Sequence, residues 1–428
     1  MKIKGLLNKV KLPARASAFY LGAGAVGKLV GVIFTPVFTR ILTRSEYGEY
    51  TRYLSIIGAV SVICSALTSS SVIYKGLGEQ EAKREDYLKG VLVANLLFLL
   101  VICSLLFAFS RFLALNSLIV ATMSLQIFAD SITAIYLTGA KFSYKYPTVT
   151  AVLLIGSILP PTLSALLIFA FGGGYLIRVY SLLAVSFVIG LFALIKLVKG
   201  GKAKSYMIKN TLLNCLPLLP HGISNAVSSQ ADKLILASIM GSVALAKYSV
   251  VFSLGMALQF TVTALGSALS PWIIRRIKSG EENKISSLIF PMMIGYLALS
   301  VCLIAIGPEA IKILAPEDYL DAFPALMPIA LSVPFSFISL VCTVALVYFG
   351  KARFTAALST VSGIGCILLN YTLIDFLGYI GAGLSLMICQ MLLAIGGVIE
   401  LTKIGHGEII CARKILPTYL VGIGCGAR

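Results

Sequence analysis

The sequence predicts an all-α, polytopic membrane protein with about twelve transmembrane helices in two six-helix lobes. Hydrophobic residues make up 58% of the 428 residues and charged residues only 12%, whereas soluble domains carry about 25% charged residues. The apolar residues also form long runs, and a run of roughly 20 residues is long enough to cross a bilayer as a helix. Composition and patterning therefore point to the same fold class.

Short polar segments divide the apolar sequence into twelve predicted membrane spans. The first follows a basic N-terminus and is longer than the apolar part of a signal peptide, so it is expected to be a transmembrane helix. The spans are predicted at residues 16–39, 50–74, 88–110, 112–138, 148–171, 175–198, 211–240, 245–272, 286–306, 324–349, 354–376 and 380–402.

The positive charges predict the orientation of the chain in the membrane. Lys and Arg concentrate in alternate connecting segments, such as Lys2–Arg15, Lys75–Lys89, Lys196–Lys209 and Arg275–Lys284. Because cytoplasmic loops carry an excess of Lys and Arg, both termini are expected in the cytoplasm. The net charge of +18 is thus distributed over short loops, which argues against a nucleic-acid partner.

The longest basic loop divides the chain into two halves of six spans each. We predict an N-terminal lobe at residues 1–200, a C-terminal lobe at 201–404 and a terminal stub at 405–428. Within the stub, Ile415–Arg428 is apolar but too short to span. It is expected to be either a surface segment or the start of a thirteenth helix.

Signatures of an enzyme are missing from the sequence. The chain has nine Cys without a CxxC pair, only two His, and no GxSxG, Walker A or HExxH motif. The connections between the spans are also too short for a soluble catalytic domain. We therefore predict a non-enzymatic protein with no catalytic residues, no metal site and no cofactor.

The seventh span carries a polar face. His221, Asn225, Ser229 and Asp232 follow the spacing of one helix face. A carboxylate facing lipid at the centre of a span costs roughly 3 kcal/mol or more, so this face is expected to meet protein or a water-filled cavity. The alternative is that Asp232 and Lys233 lie at the outer interface, where side chains can reach water.

Two other spans carry ionisable groups. Lys28 shares a face of the first span with Gly24, Gly31 and Thr35, and such glycines allow close backbone approach. The ammonium is expected to meet either an anionic ligand or a carboxylate of the protein. Asp130, in the fourth span, could pair with Lys28, take part in ion coupling, or make a plain interhelical hydrogen bond.

Two arginines, Arg52 and Arg178, lie near the outer ends of their predicted spans. Each is expected either to reach the headgroups or to face a cavity. Cations thus outnumber carboxylates among the groups within or near the spans.

Several stretches of the chain resemble the polysaccharide-repeat flippases, the Wzx-type O-antigen flippases that are relatives of the MATE drug exporters. The resemblance covers about residues 16–404. The stretches that carry it are Pro36–Tyr50, Pro217–Gly222, Ser229–Ile235, Gly241, Ala246–Ser249, Tyr348–Lys351, Asn370 and Gly378–Gly383.

The resemblance implies a MATE-like fold and a transport function. A flippase of this family would carry an oligosaccharide linked to undecaprenyl pyrophosphate from the inner to the outer leaflet by alternating access, driven by an H⁺ or Na⁺ gradient. It would lie in the bacterial inner membrane, beside a polysaccharide polymerase and chain-length proteins.

The residues themselves supply candidates for these roles. A pyrophosphate needs cations and polar groups, so Lys28, Arg52, Arg178, Asn225 and Lys233 are the predicted substrate-binding residues. Asp130 and Asp232 are the only carboxylates well inside the spans, and they are the predicted ion-coupling residues.

Three alternative functions stay open at this stage. A MATE-like exporter of small cationic drugs predicts a cavity dominated by carboxylates, whereas cations lead here. A membrane enzyme of polysaccharide assembly predicts a large outer loop or an Asp-rich site. A flippase for a peptidoglycan precursor shares the expected pyrophosphate chemistry.

Overall fold

The all-α fold class is confirmed. The computed structural model describes residues 2–64, 73, 77, 84–110, 115–199, 205–215 and 219–410, and these residues form helices and short turns without a strand. Within them, ten helices are long and apolar enough to cross a membrane. The predicted stub from Ile415 lies outside the described residues.

Twelve α-helices and two short 3₁₀ helices make up the described chain. The α-helices are α1 (Lys2–Ile41), α2 (Arg44–Cys64), α3 (Arg84–Ala108), α4 (Ser117–Phe142), α5 (Tyr146–Phe171), α6 (Tyr175–Val198), α7 (Ser205–Cys215), α8 (Leu219–Lys278), α9 (Glu282–Leu314), α10 (Leu326–Tyr348), α11 (Ala352–Leu377) and α12 (Tyr379–Lys403). The 3₁₀ helices are Glu317–Ala325 and Gly407–Ile409.

The seventh and eighth predicted spans are two arms of α8. The arms comprise residues 219–240 and 242–278, and between them Gly241 has a φ of 84°. This left-handed conformation is readily adopted only by glycine, so Gly241 marks the end of one span and the start of the next. The sequence predicts twelve spans, but only ten helices of the described chain qualify as membrane-spanning by length and apolar character. The two arms of α8 form one of these ten helices, and α2 is not among them because its first half is charged.

The two predicted proline breaks have different outcomes. The sequence predicts breaks in the fifth span at Pro160 and Pro161 and in the seventh at Pro217 and Pro220. The structure instead carries α5 straight through Pro160 and Pro161. Within the seventh predicted span, α7 ends at Cys215 and α8 begins at Leu219, and Pro217 lies outside the described residues. Pro220 lies in the first turn of α8, where a missing N–H has no intrahelical partner to lose.

By their contacts the helices form two compact units. Unit 1 contains the chain up to Phe38 and Tyr53–Ala226, and unit 2 contains Thr39–Arg52 and the chain from Val227 onward. A core of unit 1 is formed by apolar side chains of α3, α4 and α6, together with Met207 of α7 and the buried residues Ile73 and Leu77. Among the membrane-length helices of unit 2, α10 is the most enclosed, because most of its apolar stretch is buried whereas most of that of α11 is not.

The turn between α1 and α2 packs within unit 2. Thr39 Oγ1 donates to the carbonyl oxygen of Leu314 over 2.7 Å, and Arg44 forms an ion pair with Asp318. Thr43 and Glu46 form a capping box at the start of α2, with the Thr43 N–H 3.0 Å from the Glu46 carboxylate. Several residues of the family-like stretch Pro36–Tyr50 therefore have a structural role, since they hold this turn in place.

Gly48 provides the closest approach at this docked turn. A Cβ added there would overlap the carbonyl oxygen of Ser242, which belongs to the backbone of α8. Gly48→Ala is therefore expected to lower the amount of folded protein in the membrane severely, because neither backbone can move away cheaply. Fluorescence size-exclusion chromatography of a tagged protein measures this amount.

The matched control is Gly295→Ala. A Cβ at this helical position of α9 meets nothing within 4 Å, so the substitution should leave the level unchanged or raise it slightly through helix propensity. Equal levels of the two variants would contradict the close contact at Gly48.

The predicted orientation can be tested by cysteine labelling. Single cysteines placed at Asp318, which is exposed in the turn before α10, and at Lys202 in the basic central loop should differ in a cysteine-free background. A membrane-impermeant maleimide added outside intact cells should label the first and miss the second, since basic loops stay inside. A permeant maleimide that labels both is the control, and the reverse pattern would contradict the orientation.

Candidate functional site

Asp232 is buried in unit 2 against the second arm of α8. Its side chain is 6% exposed, and the fully buried Tyr248 donates its hydroxyl to Asp232 Oδ2 over 2.9 Å. The reversal of the chain at Gly241 brings these two residues together. Of the two predictions for Asp232, the structure thus favours a carboxylate that faces protein.

The other carboxylate oxygen of Asp232 has no hydrogen-bond partner. Oδ1 is buried and unpaired, although the backbone N–H groups of Asp232 and Lys233 lie near the carboxylate. Within a helix those N–H groups point along the axis to the preceding turn, so they offer Oδ1 no directed donor. A buried, unpaired carboxylate oxygen is costly and therefore marks a place where a proton or a cation can bind.

Two further helices complete the surroundings of Asp232. The Cys366 thiol of α11 lies near both Tyr248 and Asp232. Asn370 Nδ2 donates to the Cys366 carbonyl oxygen over 2.8 Å and lies 3.2 Å from its sulfur, while Asn370 Oδ1 is buried without a partner. We call the buried set the Asp232 cluster; its members are Asp232, Tyr248, Ser362, Cys366, Asn370 and Cys389.

The Lys233 side chain lies beside this cluster. Its Nζ lies 4.1 Å from the centre of the Phe252 ring, a distance at which a cation–π interaction is favourable. The ammonium also interacts with the neighbouring Asp232 carboxylate. Lys233 is thus held on the side of α8 that faces its own second arm.

Asp130 belongs to a separate polar network in unit 1. The side chains of Gln126, also on α4, and Ser186, on α6, hydrogen-bond its carboxylate. Gln126 Oε1 in turn accepts the Tyr53 hydroxyl over 2.8 Å, so the amide nitrogen is the group left for Asp130. The network connects α2, α4 and α6, as the interhelical alternative for Asp130 requires.

Lys28 lies on an open face of α1. The side chain is exposed, and a Cβ added at Gly24 or Gly31 on the same face would meet nothing within 4 Å. The expectation that these two glycines allow close packing is therefore wrong. Close packing occurs instead at Gly27, the residue before Lys28, which lies against Ser157 of α5.

No ion pair joins Lys28 to Asp130 among the described side chains. The Asp130 carboxylate is directed instead to Gln126 and Ser186. Asp130, the carboxylate that the sequence suggested as a partner for Lys28, is thus already bound by other side chains.

The other predicted substrate-binding residues occupy different environments. The Arg178 guanidinium stacks 3.7 Å above the ring of Phe38 in unit 1, and Arg52 lies 3.8 Å from Glu49 within unit 2. Asn225 lies on the helical backbone of α8, and its side chain is outside the described part of the structure, as is that of His221.

Sequence reasoning missed Tyr248 and the two thiols of the Asp232 cluster. Tyr248 appears only as part of a family-like stretch, and the Cys residues look like ordinary apolar residues of a span. The described residues contain no group of three or more His, Cys, Asp and Glu side chains that could hold a metal ion.

Ten described helices long enough to cross a membrane, with ionisable side chains among them, define a multi-pass membrane protein. The profile of the polysaccharide biosynthesis protein family matches residues 14–277, more than half of the chain. The chain belongs to this family, which is the family of the Wzx-type flippases. Among curated proteins, no sequence matches this chain.

Solved structures share the fold at low sequence identity. The lipid II flippase MurJ in an inward closed conformation is 14% identical, with a TM-score of 0.72 and coverage of 96% of both chains. An inward-facing multidrug resistance MATE family transporter of the MOP superfamily is 13% identical, with a TM-score of 0.70 and coverage of 89% of this chain and 95% of that one.

A third match is a MOP superfamily transporter from Pyrococcus furiosus whose binding pocket has reverse polarity. It is 13% identical, with a TM-score of 0.63 and coverage of 92% of this chain and 97% of that one. The fold is therefore the one shared by MATE transporters and MurJ, and a multi-pass membrane location follows from it.

Proposed function

We propose that this protein is a flippase for undecaprenyl-pyrophosphate-linked oligosaccharide repeat units, such as those of O-antigen or a similar surface polysaccharide. It carries them from the inner to the outer leaflet by alternating access, driven by an ion gradient. The proposal places it in the bacterial inner membrane with both termini in the cytoplasm, where a polymerase and chain-length proteins use its product.

The open ammonium of Lys28 is the observation that carries this proposal. A lysine in the middle of a membrane-spanning helix needs an anion nearby, and among the described side chains no carboxylate pairs with it. A pyrophosphate supplies at least two negative charges, and its attraction to an ammonium is stronger away from bulk water. Arg52, Arg178, Asn225 and Lys233 are the further proposed substrate-binding residues.

Ion coupling is proposed at the two carboxylates well inside the predicted spans, Asp232 and Asp130. Asp232 is the better candidate, because Oδ1 is buried and unpaired and can accept an ion without first giving up a hydrogen bond. Asp130 is the second candidate, although Gln126 and Ser186 already hold its carboxylate. Occupancy of such a group changes the charge inside the unit and can thereby bias one conformation over another.

Two other transport functions compete with this proposal. An exporter of small cationic drugs would use a carboxylate where Lys28 stands, and its cargo would be repelled by the exposed ammonium. A flippase for a peptidoglycan precursor shares the pyrophosphate chemistry, so the sugar portion of the cargo must separate it from the proposed one.

A gene-deletion experiment in the organism that encodes the protein separates these functions. Deletion is expected to abolish the surface polysaccharide and to leave its lipid-linked repeat units on the cytoplasmic leaflet, and the wild-type gene should restore both. Loss of viability with arrested peptidoglycan synthesis would favour the precursor flippase. Normal polysaccharide together with increased sensitivity to cationic drugs would favour the exporter.

A further inference from the structure

The oxygen atoms of the Asp232 cluster are already largely committed to hydrogen bonds. The Tyr248 hydroxyl gives its single proton to Asp232 Oδ2, and the Ser362 hydroxyl donates to the Cys389 carbonyl oxygen over 3.3 Å. The Cys366 carbonyl oxygen accepts from Asn370. Among the described atoms of the cluster, Asp232 Oδ1 and Asn370 Oδ1 are the side-chain oxygens left without a partner.

One thiol, Cys366, lies beside the residues that carry these two oxygens, and a second, Cys389, lies next to Cys366. Cys366 interacts with Asp232, Tyr248 and Asn370, and its thiol hydrogen-bonds that of Cys389. Cys389 also lies 3.7 Å from the Ser362 carbonyl oxygen. The side of the cluster formed by α11 and α12 therefore carries two sulfur atoms, hydrogen-bonded carbonyl groups and a single unpaired side-chain oxygen, Asn370 Oδ1.

This inventory does not suit a hard metal cation. Well-characterised hard-cation sites supply roughly six or more oxygen ligands, and neutral thiols are soft groups that suit other metals. Transporters that bind Na⁺ take extra carbonyl oxygens from unwound helices. Here α11 and α12 stay helical through Ser362–Asn370 and Ser385–Cys389, so their carbonyl groups remain occupied. A proton, by contrast, needs only one oxygen lone pair.

We propose that the Asp232 cluster is a proton site that rejects Na⁺, with Tyr248 as its positioning residue and Cys366 and Cys389 as its selectivity residues. The inference rests on the proposed ion coupling at Asp232 and names the ion. Binding forms an O–H bond at Oδ1 and converts the carboxylate to a neutral acid; release breaks that bond and returns the proton to water. The Tyr248 hydroxyl keeps its own proton throughout and donates it to Oδ2 in a hydrogen bond.

The charged and titratable groups that face Asp232 in the described structure are few. On α8 itself they are Lys233, whose ammonium also stacks on Phe252, and Tyr248. On α11 the group is the Cys366 thiol, and α12 adds Cys389 behind it. Lys233 favours the charged carboxylate, whereas burial favours the neutral acid, so the balance between them sets the pH at which the proton leaves.

Thermal unfolding of the purified, detergent-solubilised protein tests the choice of ion. The midpoint is measured with NaCl against choline chloride at constant ionic strength, and then from mildly acidic to mildly alkaline pH. The wild-type midpoint is expected not to respond to Na⁺. Relative to Asp232→Asn, it should fall as the pH rises, because deprotonation leaves a charge that burial disfavours.

Two results would overturn the proposal. One is a wild-type midpoint that rises with NaCl and stops doing so in Asp232→Asn, which identifies a sodium site. The other is the same pH profile for wild type and Asp232→Asn. If Asp232→Asn protein is poorly produced, infrared difference spectra provide the test instead. Spectra of Asp130→Asn protein should show the C=O band of a protonated aspartic acid, and this band should disappear as the pH rises. Absence of the band would contradict proton binding at Asp232.

Tyr248→Phe and Cys366→Ser/Cys389→Ser test the assigned roles. Removing the hydroxyl that stabilises the carboxylate should move the pH-dependent loss of stability to higher pH, whereas a purely structural Tyr248 would lower the midpoint equally at every pH. Replacing the thiols by hydroxyl groups should make the midpoint rise with NaCl. None of these measurements involves lipid translocation. A sodium site would therefore contradict the proton proposal without contradicting the flippase function. Conversely, a proton site in a protein that does not translocate the lipid would contradict only the flippase function.

Discussion

Asp232→Asn is expected to reduce gradient-driven export of the lipid-linked oligosaccharide by at least about 100-fold. The substitution preserves the size of the side chain and the partner of the Tyr248 hydroxyl, but it removes the negative charge at Oδ1. Interactions of a buried charge are worth ~3 kcal/mol or more, and this difference corresponds to roughly a 100-fold change in an equilibrium. Export is measured as newly surface-exposed polysaccharide in a deletion strain that carries the variant.

Asp375→Asn is the matched control for this effect. Asp375 lies in unit 2 on α11, as the Asp232 partners Cys366 and Asn370 do, but its side chain is exposed. It should therefore export normally at a normal protein level. Asp130→Asn and the double variant complete the series. Full gradient-dependent export by Asp232→Asn, Asp130→Asn and the double variant would show that neither carboxylate couples transport to an ion.

Lys28→Ala is expected to abolish export of the repeat unit while the amount of protein in the membrane stays normal. Its side chain is exposed on an open face of α1, so truncation removes little packing. An ammonium–phosphate interaction away from bulk water is worth several kcal/mol at an effective dielectric constant of about 20. Lys28→Arg keeps the charge but spreads it over a planar group, and part of the export should remain.

The control for Lys28 is Lys403→Ala, which removes another exposed lysine at the C-terminal end of α12. This variant should export normally. A structural role for Lys28 would look different: the protein level would fall, and removal of Asp130 in addition would restore both level and export. No ion pair joins these two residues in the described structure, so no rescue is expected. Full export by a normally produced Lys28→Ala protein would defeat the proposed role.

The fold was predictable from sequence because the membrane requires long apolar helices, and those leave a plain signal in the chain. The carboxylate of Asp232 could likewise be picked out, since charged groups inside spans are rare. Its partners could not. Tyr248 reaches Asp232 only because Gly241 reverses the chain, and Cys366 arrives from a distant helix whose packing leaves no local pattern.

The glycines of α1 show the limit of pattern reasoning most clearly. Small residues permit close approach of helices, but they do not require it. Gly27 makes such an approach to Ser157, whereas Gly24 and Gly31 leave open space around Lys28. Pro160 and Pro161 make a similar point, because a helix can continue through prolines when its freed carbonyl groups find other partners.

Translocation by the purified protein in liposomes tests the central claim most directly. The liposomes contain an undecaprenyl-pyrophosphate-linked oligosaccharide, and an impermeant enzyme that oxidises the terminal sugar is added after an ion gradient is imposed. The account predicts that wild-type protein moves additional substrate into reach of the enzyme only with the gradient present, and that Asp232→Asn and Lys28→Ala do not. Equal oxidation in liposomes with wild-type protein and in protein-free liposomes would contradict it.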